Sequence, residues 1–265
     1  FLYAFLKYPE LRLHREDWRI TRRDVTRHLI QGIPLGLQFS VLAIGIIVMQ
    51  SVIVQFDTLG GEMVSNAAQN GFGAANKLNN LLMTPLNGLG SAMTSFTAQN
   101  LGAGDHARIR KGTVQALIIV WTMCLISIAA GLLLSRGGGY LYIFLSPDKV
   151  TAETVRYGNT YLYVDLSLYL FLGFIFVVRN CVQGIGKPQF VLGAGAAELV
   201  ARVSVCLLLP PLIAGGPVNS DAPRAAVYAL CFADPFAWMA ADAVLLVPFL
   251  RNIMKMDYRY LKGTA

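Results

Sequence analysis

Charge is scarce in this chain. Asp, Glu, Lys and Arg make up 14% of its 265 residues, and 55% are hydrophobic; a soluble domain carries about 25% charged residues. With a mean hydropathy of +0.53, that excludes an ordinary water-soluble domain and indicates a polytopic membrane protein. Cysteine and histidine are thin as well. Cys124, Cys181, Cys206 and Cys231 fall inside apolar stretches, too far apart for a metal knuckle, and read as small buried side chains. His14, His28 and His106 lie at or near loops without HExxH spacing, so no metal site is expected. There is no GxxxxGK[ST] loop, since Pro188 follows the lysine of GIGKP, and no GxSxG. No enzyme chemistry and no cofactor are expected. The net charge of +7 would suit nucleic acid, but the basic residues lie in short segments between apolar spans rather than on one patch, which excludes that partner.

What is present is a series of apolar spans. Residues 1–8 read as the end of a preceding transmembrane helix, and residues 9–27 as a charged cytoplasmic linker, a candidate surface-lying amphipathic helix. Because the first residue is Phe, the sequence is expected to be the C-terminal part of something longer. A six-helix transmembrane lobe then occupies residues 28–250, with spans near 28–56, 64–101, 112–135, 154–183, 188–213 and 224–250. Pro34 is expected to kink the first, and Pro210–Pro211 to stop the fifth. A basic cytoplasmic tail, 251–265, closes the chain. With the linker inside, 16 of the 22 Lys and Arg fall on the cytoplasmic side, Arg179 among them. Four (Arg136, Lys149, Arg156 and Arg224) fall outside, and Lys77 and Arg202 lie within spans. Both ends are therefore cytoplasmic in a multi-pass protein of the cell membrane.

The second span is the unusual one. Gln69, Gly73, Asn76, Asn80, Thr84, Asn87 and Ser91 recur at spacings of 4, 3, 4, 4, 3 and 4, one face of an α-helix. Hydrocarbon cannot satisfy such a face, so it must meet protein or water. Amides and hydroxyls also glue helices together at about 1 kcal/mol or less each. That suits one or two residues better than a stripe of this length, which reads as the wall of a permeation pathway. Lys77, about 100° round from Asn76, marks either the rim or a lysine paired with a carboxylate elsewhere.

Four further groupings bear chemistry. Gln31, Gln38 and Gly45 share a face of the first span, with Gln38 either in a polar pocket after Pro34 or bonded to the kinked backbone. Tyr157, Tyr161, Asp165 and Tyr169 recur every four residues, a carboxylate among phenols that suits an organic cation. A tyrosine belt with a structural aspartate fits the same spacing. Glu198 and Arg202 stand four apart with the acid first, which favours an intrahelical ion pair over a proton-responsive switch. Asp234, Trp238 and Asp242 share a face of the sixth span, where either aspartate is a proton-carrying or a structural candidate.

Taken in order, GIPLGLQFS, AANKLNNLLMTPLNGLGSAMTSFTAQNLGAGDHARIRKG, QGIGKPQ, ELVARV and ADPFAWMAADAVLL resemble the C-terminal lobe of the multidrug and toxic compound extrusion (MATE) family. The AQNLGAGD turn is the most specific element, and the similarity runs through most of residues 25–250. The resemblance implies an all-α fold of two six-helix lobes, 6+6, with substrate leaving through the cleft between them in exchange for sodium or protons. This chain would supply one lobe and need the N-terminal lobe as its partner in the bilayer, with small organic cations as substrates. Two departures matter. The sodium-coupled branch carries a glutamate where this chain has Leu42 and an aspartate where it has Leu172, so that cation site is not carried over. In the proton-coupled bacterial branch the coupling carboxylate lies in the other lobe. Gln38, Asn76, Asn80, Thr84, Asn87, Tyr161 and Asp165 stand as substrate-cavity candidates, and Asp165, Glu198, Arg202 and Asp234 as coupling or ion-pair candidates. The rivals are a lipid-linked saccharide flippase of the same superfamily and a non-transporting membrane partner subunit.

Overall fold

Helix length and helix ends follow from local chemistry throughout. The computed structural model describes residues 2–8 and 21–255. The linker at 9–20, the tail beyond Lys255 and the Gln31 side chain lie outside the described residues. After a short α1 (Leu2–Lys7), α2 (Arg22–Gln55) starts on a reciprocal cap. The Thr21 hydroxyl accepts from the Asp24 N–H at 3.3 Å, and the Asp24 carboxylate accepts from the Thr21 N–H at 3.1 Å. The helix continues through Pro34 without interruption.

A two-residue hairpin, β1 (Thr58–Leu59) and β2 (Glu62–Met63), turns on Gly60 and Gly61, both at positive φ. It delivers fully buried Asp57 to the start of α3 (Ala67–Gly102), where its carboxylate accepts from the N–H groups of Ala68 at 3.0 Å and Gln69 at 2.9 Å. This stands in for an N-cap, because Asn66 makes no side-chain capping bond. At 36 residues α3 is about 54 Å long and runs through Pro85. Asp105 caps α4 (His106–Ser135) by accepting from the Arg108 N–H at 2.9 Å. After a glycine turn come the short α5 (Leu141–Phe144) and α6 (Ala152–Ser167).

Two expectations are corrected here. The fourth span is not one helix: α6 and α7 (Tyr169–Gly184) meet at Leu168 with a bend of 57°. No proline marks the break. The Ser167 hydroxyl donates to the Val164 carbonyl at 2.7 Å, a side-chain bond that competes with the backbone ladder. Pro210–Pro211 does not end the fifth span either: α8 (Pro188–Ala214) runs through both and stops at Gly215, which is left-handed at φ 72. Each proline loses its own N–H bond and crowds the carbonyl one turn back, but its fixed φ remains helical and the helix carries on to the glycine. The sixth span is α9 (Arg224–Cys231) followed at Phe232 by α10 (Ala233–Pro248) and a widened turn over Phe249–Met254.

Arg22–Gln55, His106–Gly138, Pro188–Ala214 and Arg224–Met254 are long and apolar enough to cross a bilayer, and the bent α6–α7 pair makes a fifth such span. α3 is long enough but not apolar enough, which is the polar stripe seen from another side. α3 packs on α4, α6 and α7, while α8 lies between α2 and α10.

Candidate functional site

Two glycines bring the site together. A Cβ on Gly71 of α3 would stand 2.5 Å from the Thr154 carbonyl and 2.8 Å from the Gly158 nitrogen of α6. Only bare backbone allows that approach. One to two turns further along the same pair of helices, side chains meet. Asn76 donates to the Tyr161 hydroxyl at 3.3 Å, and Asn79 to the Asp165 carboxylate at 2.8 Å. The Tyr161 hydroxyl then donates to Asp234 of α10 at 2.8 Å. The other Asp234 oxygen takes Arg202 of α8, through Nε at 2.8 Å and Nη2 at 2.7 Å. Gly45 of α2 leaves the room: a Cβ there would lie 3.2 Å from the arginine side chain. At the exposed end the Asn80 amide donates to the Asn76 side-chain oxygen Oδ1 at 2.8 Å. The chain Asn80–Asn76–Tyr161–Asp234–Arg202 thus joins four helices, from the surface of the lobe to its interior.

Beside it lies a cavity of about 310 Å³. Ile46, Met49 and Ile53 of α2 form one wall, Gly73, Asn76, Lys77 and Asn80 of α3 another, and Tyr161, Arg202, Asp234 and Trp238 the floor. Asn76, Asn80, Thr84, Asn87 and Ser91 are all exposed along α3, so the stripe continues past the cavity toward the C-terminal end of the helix. Lys77 is exposed too, its ammonium 5.9 Å from the Phe144 ring centre.

Several expected placements are corrected. Gln38 does not line the cavity. It is buried in the contact between α2 and α8, where a Cβ on Gly195 would come within 2.8 Å of its Cγ. Asp165 does not line the cavity either: it is fully buried, with Asn79 of α3 donating to its carboxylate. Tyr169 packs edge-on against Trp238 at 6.2 Å, and Tyr157 packs against Phe56 and Phe72, so the four-residue spacing does not make one aromatic row. Glu198 and Arg202 are not partners. Arg179 of α7 takes Glu198 at 2.8 Å and Asp234 takes Arg202, because α8 meets a different neighbour on each side and each supplies the opposite charge. Arg179 accordingly lies against α8 in the bundle, with a side chain 15% exposed. Asp242 lies beside the cluster, with neither carboxylate oxygen bonded among the described residues. The four cysteines are free and buried. No group of three His, Cys, Asp or Glu able to hold a metal occurs among the described residues.

Sequence reasoning missed Asn79, Asp57 and the partners of Arg179. Asn79 had a signal, an amide next to the stripe on its α6 side. Asp57 and Arg179 had none, since both depend on which helix lies opposite.

The sequence model of the MatE family matches residues 29–208. The "Probable multidrug resistance protein YpnP" of Bacillus subtilis (strain 168) is 30% identical over 173 residues, 61% of this chain and 33% of that protein. Among solved structures, an outward-facing multidrug resistance MATE family transporter of the MOP superfamily superposes at a TM-score of 0.74 with 18% identity, over 96% of this chain and 54% of the other. A MATE crystal structure in complex with MaL6 superposes at 0.71 with 17% identity, over 99% and 54%. The chain spans about half the length of these transporters. The family match covers most of the residues that carry the polar wall and the buried charges, and the chain belongs to the MatE family.

Proposed function

We propose that this chain builds one six-helix lobe of a cation-coupled antiporter that exports small organic cations by alternating access, with a second lobe as its partner. The observation that carries the reading is the hydrogen-bonded line from exposed Asn80 and Asn76 through Tyr161 to the buried Asp234–Arg202 pair. Such a line ties the occupancy of a polar cavity to the partnering of a buried charge. A proton or sodium ion reaching Asp234 competes with Arg202 for its oxygens, and one reaching Asp165 competes with Asn79. Either changes which helices are bonded across the lobe, the kind of bias that shifts a two-state equilibrium. The name of the Bacillus relative supports drugs as the cargo. The lysine and arginine bias supports a cell-membrane protein with both described ends cytoplasmic. A flippase for lipid-linked saccharides would call for a more basic wall than Lys77 and an Arg202 already neutralised by Asp234.

The test is export of a cationic dye from a pump-deficient host expressing the complete gene. Export should collapse when both the proton and sodium gradients are dissipated. Asp165→Asn should weaken export of cations more than of neutral compounds. Export that persists without either gradient overturns the coupling, and equal effects on both classes make Asp165 a structural aspartate.

A further inference from the structure

Only four basic residues fall on the outer side of the chain, and two of them, 68 positions apart, line the same small pocket. Arg156 of α6 and Arg224 at the start of α9 face a cavity of about 100 Å³ together with Tyr157, Thr160, Val227 and Tyr228. That is the liquid volume of roughly three waters, room for one tetrahedral oxyanion. Two guanidinium groups on separate helices repel each other across such a space unless something negative lies between them. The chain offers little. Arg224 makes no ion pair among the described residues. The carboxylate on Arg156 is Glu153, at 3.1 Å in an exposed pair one turn away on the same helix, a kind of pair that contributes little. The pocket is otherwise fixed. The Arg156 guanidinium stands 5.3 Å from the Tyr157 ring centre, and that ring is buried against Phe56 and Phe72. The Thr160 hydroxyl is committed to the Arg156 carbonyl at 2.8 Å.

We propose that this pocket binds a phosphate group, presented by the headgroup of an anionic lipid of the outer leaflet. Guanidinium forks match phosphate oxygens in pairs, and basic pockets between transmembrane helices select anionic headgroups. The two helix segments that meet here are those that lead, five residues on, to Tyr161 and, ten residues on, to Asp234. A phosphate held by both arginines braces α6 against α9 directly above the Tyr161–Asp234 bond. Bound lipid therefore stabilises the arrangement in which that bond is made.

The probes are phosphatidylglycerol, phosphatidylcholine and inorganic phosphate at matched ionic strength, each added to the purified protein from the complete gene in detergent. The readout is the midpoint of thermal unfolding. Phosphatidylglycerol should raise the midpoint by about 4 °C beyond phosphatidylcholine. The increment should be lost in Arg156→Gln/Arg224→Gln and reduced in Arg224→Gln alone, a change at an exposed position that spares the fold. An equal, arginine-dependent rise with inorganic phosphate assigns the site to a free oxyanion and overturns the lipid as its source. An increment that survives both variants, or none in the wild type, overturns the site. Loss of dye export in the wild type bears on the transport reading and leaves this binding result standing.

Discussion

Arg202 and Asp234 show what a buried charge needs. Both are less than a tenth exposed, and every Asp234 oxygen is occupied, one by the guanidinium and one by the Tyr161 hydroxyl. Removing one partner leaves the other charge desolvated and unpaired, which costs about 3–5 kcal/mol, whereas removing both is far milder. Arg202→Met should therefore destabilise the lobe more than Arg202→Met combined with Asp234→Leu, measured by unfolding in detergent. Additive losses would show that the two side chains act independently. Tyr161→Phe takes away one donor and leaves the fold, at about 1–2 kcal/mol. Its larger effect should be on dye export, since it cuts the line between Asn76 and the ion pair. The types of these residues and their depth are readable in the sequence, because intramembrane charges stand out against an apolar background. Their partners are not. Glu198 and Arg202 have ideal intrahelical spacing, yet each turns to a charge on another helix, Arg179 and Asp234. Local spacing competes there with tertiary geometry, and the fixed fork of an arginine reaching a neighbouring helix prevails.

At the scale of the element, α3 and α6 are held at backbone contact by glycine. A Cβ on Gly158 would strike the Tyr140 hydroxyl and approach the Gly71 carbonyl at 2.9 Å, and one on Gly71 would meet the Thr154 carbonyl at 2.5 Å. These are backbone or fully buried neighbours that cannot swing aside. Gly71→Ala and Gly158→Ala should each cost about 1–3 kcal/mol by overpacking. Both should also lengthen the Asn76–Tyr161 bond, lowering export out of proportion to stability. Gly73, two residues from Gly71 with nothing near its Cβ position, is the control, and Gly73→Ala should fold and melt at or slightly above the wild type. Equal losses at all three sites would count against close approach as the cause, and helix propensity could not supply them, since it favours Ala over Gly by about 1 kcal/mol. The order of the spans is legible in the sequence, five of them by hydropathy and α3 by its polar periodicity. The helix ends at Thr21 and Gly215 are not, the first lying in what reads as linker and the second beyond a proline pair that reads as a stop. The bend at Leu168 is not legible either, because no proline or glycine marks it, and hydroxyls bond back to the backbone as Ser167 does inside unbroken helices too, at Ser51 and Thr113 among others. The buried position of Asp165 was hidden too, since it depends on which face of α6 meets α3.

For the whole molecule the question is what the exposed face of α3 meets. Asn80, Thr84 and Asn87 are exposed in this chain, and so are lipid-compatible side chains such as Leu125 and Ile126 on α4. Exposure alone therefore does not separate a water-filled cleft from lipid. Chemistry does: on a lipid-facing surface the Asn87 amide and the groups that Asn80 and Thr84 leave over from their bonds along α3 would stay unsatisfied in hydrocarbon, whereas a cleft supplies water. The native cysteines make this testable without removing them, since Cys124, Cys181, Cys206 and Cys231 are all buried and should label slowly. Single cysteines at Asn80, Thr84 and Asn87 should react with a charged, membrane-impermeant thiol reagent, and cysteines at Leu125 and Ile126 should not. Reaction needs a thiolate in water, so hydrocarbon blocks it twice, by excluding the reagent and by suppressing the charge. If the face lines a pathway open to alternate sides, the rates at Asn80 and Asn87 should also move in opposite directions when the ion gradient is reversed. The first lies two turns nearer the start of α3 than the second. Uniform protection of all three positions would mean that α3 packs dry against another helix, and the polar stripe would then be an adhesive between helices and no pathway at all.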